Sequence, residues 1–185
     1  MLNHQDHTNG AEPRALLITG TVGVGKTSAA DAVGDLLQEA GVPHAVMDLD
    51  RLCQAWPAPE GDPFNLGLLL RNLRALTANY RDAGVRRFVL AGVAESIAER
   101  DGYRAALGMP LQVCRLTADL PVVHGRLRRR HEADNDPGSL PWHLERADGL
   151  HRILDQAGVA DFTVDTTRLP LPDVASAVLR TAGWA

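Results

Sequence analysis

Cysteine is scarce. The 185 residues hold two, Cys53 and Cys114, at no metal-ligand or redox spacing. The chain therefore offers neither a disulfide framework nor a zinc motif, and both read as free thiols in a reducing cytosol. Aromatic residues make up only 4%, so a core drawn from the 45% hydrophobic residues must be built of Leu, Val, Ala and Ile. There is no basic excess. Nineteen Lys and Arg against 23 Asp and Glu give a net charge of −4 and a pI near 5.9, which argues against general binding to nucleic acid or anionic membranes. No apolar run reaches the ~18 residues of a membrane span, and no signal-peptide pattern opens the sequence. The expected protein is soluble and cytoplasmic. The seven histidines show no ligand spacing. Repeats and long linkers are absent, so residues 14–185 are expected to form one domain. Residues 1–13 are polar and aperiodic and read as a disordered leader, in which His4 and His7 are solvated or at most weak metal ligands.

What the chain does have is concentrated in residues 14–30. An apolar run, Ala15 to Ile18, reads as a buried strand, and a glycine-rich turn and a helical pattern follow it. The spacing Gly20-x-x-x-x-Gly25-Lys26-Thr27 fills every position of the phosphate-binding loop called Walker A. The residue types suit that task. Glycine takes up positive φ and lets backbone approach an anion. The N–H groups of Gly20, Thr21, Val22, Gly23, Val24, Gly25 and the first helical residues, Ser28 included, can then converge on a phosphate at a helix N-terminus. Lys26 is placed to reach the β- and γ-phosphate oxygens of ATP or GTP, and the Thr27 hydroxyl to ligate Mg2+.

Periodicity gives the rest of the layout. Strands are predicted at Ala15–Thr19, His44–Met47, Arg87–Ala91, Leu111–Leu116 and Phe162–Val164. Helices are predicted at 26–40, 63–83, 97–107, 120–131, 142–157 and 173–182. Strands alternating with helices imply an α/β fold with a parallel sheet and right-handed crossovers. Residues 54–63 form a proline-rich loop, and residues 132–141 a turn-rich break.

Ligands of such sheets bind beyond the carboxyl ends of the strands. That singles out Asp48 as a holder of Mg2+, through water, and Asp50 as a group that accepts a proton or hydrogen bond from a substrate hydroxyl. The competing reading has Asp50 capping a short helix that starts at Arg51. No Asp follows strand three. Glu95 stands near the Walker B place, either as a substitute or as the first acid of the next helix. Gly92 would admit close approach of a substrate. Arg126 and Arg130 share a helical face ahead of the break, a candidate lid at about 126–146, with Arg146 beyond it. They either stabilise a transferring phosphoryl group or form a solvated basic face paired with Glu132, Asp134 and Asp136. Arg51 either recognises an anionic acceptor or lies on the surface. Trp56, Phe64 and Trp142 either line a pocket or pack in the core.

Taken together, Gly20–Thr27, Asp48-x-Asp50, the Arg126–Arg130 helix and the ending Val164-Asp165-Thr166-Thr167 resemble the P-loop small-molecule and nucleotide kinases, such as shikimate, gluconate and adenylylsulfate kinases and chloramphenicol phosphotransferase. The resemblance implies a three-layer fold, a five-stranded parallel sheet ordered 2-3-1-4-5 with helices on both faces, and a small lid. It implies ATP and Mg2+ as cofactors, an acceptor at Asp50, Mg2+ near Asp48, and adenine against Asp165–Thr167, with Thr167 the contact. The triple glycine that shikimate kinases carry after strand three is replaced by Ala91-Gly92-Val93. A Mg-ATP-dependent kinase of a small metabolite, nucleotide-like compound or antibiotic is the leading expectation. The second is an NTPase or nucleotide-gated regulator without an acceptor. A nucleic-acid-dependent ATPase is disfavoured by the acidic balance. Partners are thus a nucleotide and a small molecule, with neither nucleic acid nor membrane, and the oligomeric state is open.

Overall fold

The computed structural model describes residues 12–184, so most of the expected leader, with His4 and His7, lies outside the described residues. Five strands, β1 (Arg14–Thr19), β2 (His44–Asp48), β3 (Arg87–Ala91), β4 (Leu111–Thr117) and β5 (Phe162–Asp165), alternate with six helices. All pairings are parallel, in the spatial order β2-β3-β1-β4-β5. β1 is central and nearly wholly buried, paired with β3 on one side and β4 on the other.

Strand side chains alternate between two cores, as a period of two requires. Leu16 and Ile18 of β1 point into one core with Val89, Cys114 and Leu116. Helices α1 (Lys26–Glu39), α4 (Leu120–Ala133), α5 (Leu140–Ala157) and α6 (Leu171–Ala182) supply its outer side. Ala15 and Leu17 point into the other core, with Phe88, Leu90 and Val113, under α2 (Leu66–Asp82) and α3 (Ile97–Leu107). The result is three layers, helices on both faces. Among the described residues no helix is long and apolar enough to cross a membrane.

Three helices start elsewhere than predicted. α2 starts at Leu66 rather than near Pro63, because the Asp62 carboxylate accepts from the amides of Leu66 (2.7 Å) and Gly67 (2.9 Å). α5 begins at Leu140 and α6 at Leu171, each carrying its proline in the first turn, where no amide donor is missed. The break expected at 132–141 therefore shrinks to residues 134–139, between α4 and α5.

Candidate active site

The carboxyl ends of all five strands face one side of the sheet, and a cavity of about 1130 Å³ lies there. Its floor is the loop after β1. Gly20, Gly23 and Gly25 hold positive φ values of 149°, 80° and 103°. At Gly20 the reason is also steric: a Cβ there would stand 2.6 Å from the Leu116 carbonyl oxygen of β4. Gly25 is the N-cap of α1, and no side chain caps that helix, so its first amides are left for an anion. Val22 through Ser28 line the cavity. Gly20 and Thr21, also singled out as loop residues, lie behind it. The buried Thr21 hydroxyl is spent on the Ala147 carbonyl of α5 at 2.6 Å.

Lys26 is the chain's only lysine. Its ammonium donates to the Thr21 carbonyl at 3.1 Å. Burial brings its pKa down to about 8. Asp50 and Asp48 oppose that fall, while Arg130 and Arg146 reinforce it. Beside it the Thr27 hydroxyl donates to Asp48 Oδ2 at 3.1 Å, and the Asp50 amide donates to Asp48 Oδ1 at 3.0 Å. Asp48 thus caps the short 3₁₀ turn Leu49–Leu52, and the capping role considered for Asp50 belongs to its neighbour. The Asp50 carboxylate is left facing the cavity. Its pKa is raised, first by desolvation and then by repulsion from Asp48, against the pull of Lys26.

The hard oxygens of Thr27 and Asp48, side by side at the helix start, suit Mg2+. Among the described residues no three His, Cys, Asp or Glu side chains converge as a metal-ligand set. A cation here would draw its other ligands from phosphate and water, as Mg2+ does.

Gly92 has a different task from the one expected. A Cβ there would meet Leu49 Cδ1 at 2.7 Å and Leu49 Cβ at 2.9 Å, so the missing side chain admits Leu49 and not a substrate. Leu49 sits between Asp48 and Asp50 in the chain, so this contact seats the turn that carries them. Gly92→Ala should destabilise the fold by about 1–3 kcal/mol through overpacking and slow turnover. A denaturation midpoint and turnover both at wild-type values would contradict this account.

The arginines separate into distinct roles. Arg126 donates to the Val24 carbonyl at 3.0 Å, to Thr166 Oγ1 at 3.0 Å and to the Thr166 carbonyl at 2.7 Å. It clamps the phosphate loop to the segment after β5. Arg130 is solvent-exposed and lines the cavity near Lys26. Arg146, on α5, ion-pairs with Glu95 across the cavity wall. Glu95 precedes α3, whose first-turn acid is Glu99. Ser96 caps α3, accepting from Glu99 N at 3.2 Å, and Glu99 in turn accepts from Glu95 N at 2.7 Å. Among the described residues none of the arginines of this basic cluster, Arg126, Arg128, Arg129 and Arg130, ion-pairs with Glu132, Asp134 or Asp136, and Arg128 and Arg129 do not line the cavity.

Two further expectations move. Thr167 does not line the main cavity. Its hydroxyl accepts from the Asp119 amide at 3.0 Å, which ties it to a small adjoining groove. Thr166, with Leu169, Leu171 and Val174, faces the main cavity in its place. Of the aromatics, none of the three is core: Phe64 and Trp142 line the cavity, whereas Trp56 is 93% exposed and lies outside it. Arg51 is exposed and also outside. Sequence reasoning missed Cys53 and Tyr103, both on the cavity wall. The Tyr103 hydroxyl donates to the Val93 carbonyl at 2.8 Å. No local motif marks either residue.

No protein-family model matches the sequence, and no curated protein matches it. Solved structures do match. A tunicamycin resistance protein from Deinococcus radiodurans is 24% identical, with a TM-score of 0.67 over 94% of this chain and 97% of that one. Shikimate kinase from Acinetobacter baumannii is 20% identical, TM-score 0.62, over 92% and 93%. A gluconokinase from Sinorhizobium meliloti 1021 is 19% identical, TM-score 0.60, over 94% of each chain. At these identities the likeness is one of fold, and the fold is that of the P-loop small-molecule kinases.

Proposed function

We propose that this chain is a Mg-ATP-dependent phosphotransferase that moves the γ-phosphoryl group of ATP to a hydroxyl of a small molecule. One observation carries the reading. The phosphate loop and the Asp50 carboxylate open into the same cavity, and that cavity continues past Asp50 to Phe64, Glu99 and Tyr103. A nucleotide on the loop leaves that far part for a second reactant. The kinase structures of the same fold support it.

The chemistry then follows from the placement. The acceptor oxygen forms a bond to the γ-phosphorus. The bond from that phosphorus to the bridging oxygen breaks, and its electron pair leaves with ADP. The hydroxyl proton passes to Asp50, whose raised pKa makes it a better base than an ordinary aspartate. Lys26, with Arg130 on the cavity wall, stabilises the charge on the transferring group. Mg2+, held by Thr27 and by Asp48 through water, would neutralise the β- and γ-oxygens. Arg126 and Thr166, with Leu169 and Leu171, hold the base side of the nucleotide.

ADP release measured with and without a panel of hydroxylated metabolites, nucleotides and antibiotics tests this. The expected result is near silence with ATP alone and a strong response to one compound class. Steady ATP hydrolysis indifferent to every addition would sink the transferase reading and favour an NTPase without an acceptor. Arg126→Ala should raise the ATP dissociation constant about tenfold or more and loosen the loop, since three hydrogen bonds to charged guanidinium are lost. Unchanged ATP binding and thermal stability would remove the clamp from the account.

A further inference from the structure

The cavity lining carries both signs of charge. Around the phosphate loop stand Lys26, Arg126 and Arg130. Every other carboxylate or guanidinium lining the cavity but one is acidic, and the one imidazole there is His143 of α5, whose Nδ1 is bonded to the Ser139 carbonyl at 3.0 Å. Asp50 comes from the 3₁₀ turn, Asp62 from the segment before α2, Glu95 from the β3–α3 connection and Glu99 from α3. The exception, Arg146 of α5, is already paired with Glu95. Arg51, the one cation the sequence offered for an anionic acceptor, is not in the cavity wall.

These acids are not equivalent. Both Asp62 oxygens accept amides of α2, and Glu95 is neutralised by Arg146. Asp50 is reserved for the reacting hydroxyl. Glu99 keeps one oxygen committed to the Glu95 amide, while among the described residues nothing donates to its other oxygen. The wall between these acids is apolar, from Leu66, Leu69 and Val93, with Phe64 and Trp142 adding aromatic rings that favour a cation. The Tyr103 hydroxyl senses the same field. Its pKa is raised by desolvation and then by the charges of Glu99 and Asp50.

Building on the transferase reading above, we propose that the acceptor is a hydroxylated organic cation, with its ammonium group against Glu99 and its hydroxyl at Asp50. Alcohols bearing carboxylate, sulfate or phosphate are rejected. A carboxylate against Glu99 would lose its hydration beside like charges, where the one guanidinium, Arg146, is already paired. An ammonium gains a charge-assisted hydrogen bond.

The experiment uses the full-length protein with Mg-ATP and matched acceptors on shared skeletons. These are amino sugars and aminocyclitols, the same compounds N-acetylated, and the corresponding sugar acids. Product is read by mass spectrometry as gain of a phosphate. The expected result is phosphorylation of an amine-bearing acceptor with kcat/KM about ten- to a hundredfold above its N-acetyl counterpart, the scale of one hydrogen bond to a charged group, and no product from the acids. KM for the amine should rise as pH passes that amine's own pKa. Glu99→Gln keeps a carbonyl for the Glu95 amide. It should raise KM for the amine at least about tenfold while leaving the ATP dissociation constant and the melting temperature near wild type. Three outcomes overturn the proposal but leave the transferase reading standing. They are a sugar acid as the preferred acceptor, a neutral acceptor as good as its amine, or a Glu99→Gln enzyme with an unchanged KM. ATP hydrolysis with no phosphorylated product from any class refutes the transferase reading itself, and this inference with it.

Discussion

Asp50→Asn should lower kcat for phosphoryl transfer by about 10²–10⁴-fold, the usual contribution of a positioned base, while ATP affinity stays within about threefold. The split follows from the geometry. Asp50 makes no side-chain hydrogen bond to the phosphate loop, whose Thr27 is bonded by Asp48 instead. Asparagine keeps the shape and the amide that donates to Asp48, and removes only the proton acceptor. The pH profile gives a second check. Desolvation and Asp48 raise the Asp50 pKa, so the carboxylate is lost to protonation at a higher pH than an ordinary aspartate. The acid limb of kcat/KM for the acceptor should therefore begin above the usual aspartate range near 3.8, and should disappear from the residual rate of the variant. Loss of ATP binding in Asp50→Asn would place this residue on the nucleotide side and refute its role.

Lys26→Met should weaken ATP binding by about 10²-fold or more and abolish turnover with it, because the cation and its reach to the phosphates go together. It should also make the nucleotide-free protein more stable. The folded pKa, about 8, lies below the ordinary lysine value of 10.5, so the fold disfavours the charged lysine. That cost is fully present below pH 8 and fades between about 8 and 10.5, as the folded lysine releases its proton before the unfolded one does. Methionine removes the cost at every pH. Each 1 kcal/mol recovered should raise the melting temperature by roughly 2–4 °C for a chain of this size. The wild-type protein should bind ATP less well as pH rises through 8, since the free enzyme then loses the charge. Because Lys26 is the only lysine, its Nζ resonance can be titrated by NMR without assignment. A titration near 10.5, or wild-type ATP affinity in Lys26→Met, would contradict the placement of the triphosphate.

The parts of the site that were legible in the sequence are contiguous ones. Gly20 to Thr27 carries its geometry in its own spacing, and the strand before it and helix after it follow from apolar periodicity. Asp48 and Asp50 were found because the end of a parallel strand is a fixed place in such a fold. Roles assigned by tertiary contact were not legible. The Glu95–Arg146 pair spans 51 residues, and no period connects its members. Gly92 was read by its freedom to meet a ligand, whereas its neighbour is Leu49. Thr166 and Thr167 are adjacent and chemically identical, and tertiary bonds separate them: Arg126 and the Thr117 carbonyl hold Thr166 on the main cavity, and the Asp119 amide holds Thr167 outside it. Arg126 and Arg130 share a helix face, yet three hydrogen bonds immobilise the first.

That immobilisation would restrict any closure of the cavity. The α4–α5 hairpin is bolted to the phosphate loop twice, by Arg126 on α4 and by the Thr21 hydroxyl on the Ala147 carbonyl of α5. Were the hairpin to close over the cavity, these two bolts would fix its base and leave the part beyond them to move. Arg130 lies one helical turn outward, about 6 Å along the axis at 1.5 Å per residue. A tilt of about 20° would carry its backbone only ~2 Å by that lever arm. Such a closure would be that of a short jaw with Arg130 on its edge, while Arg146, next to a bolt, would stay with the frame.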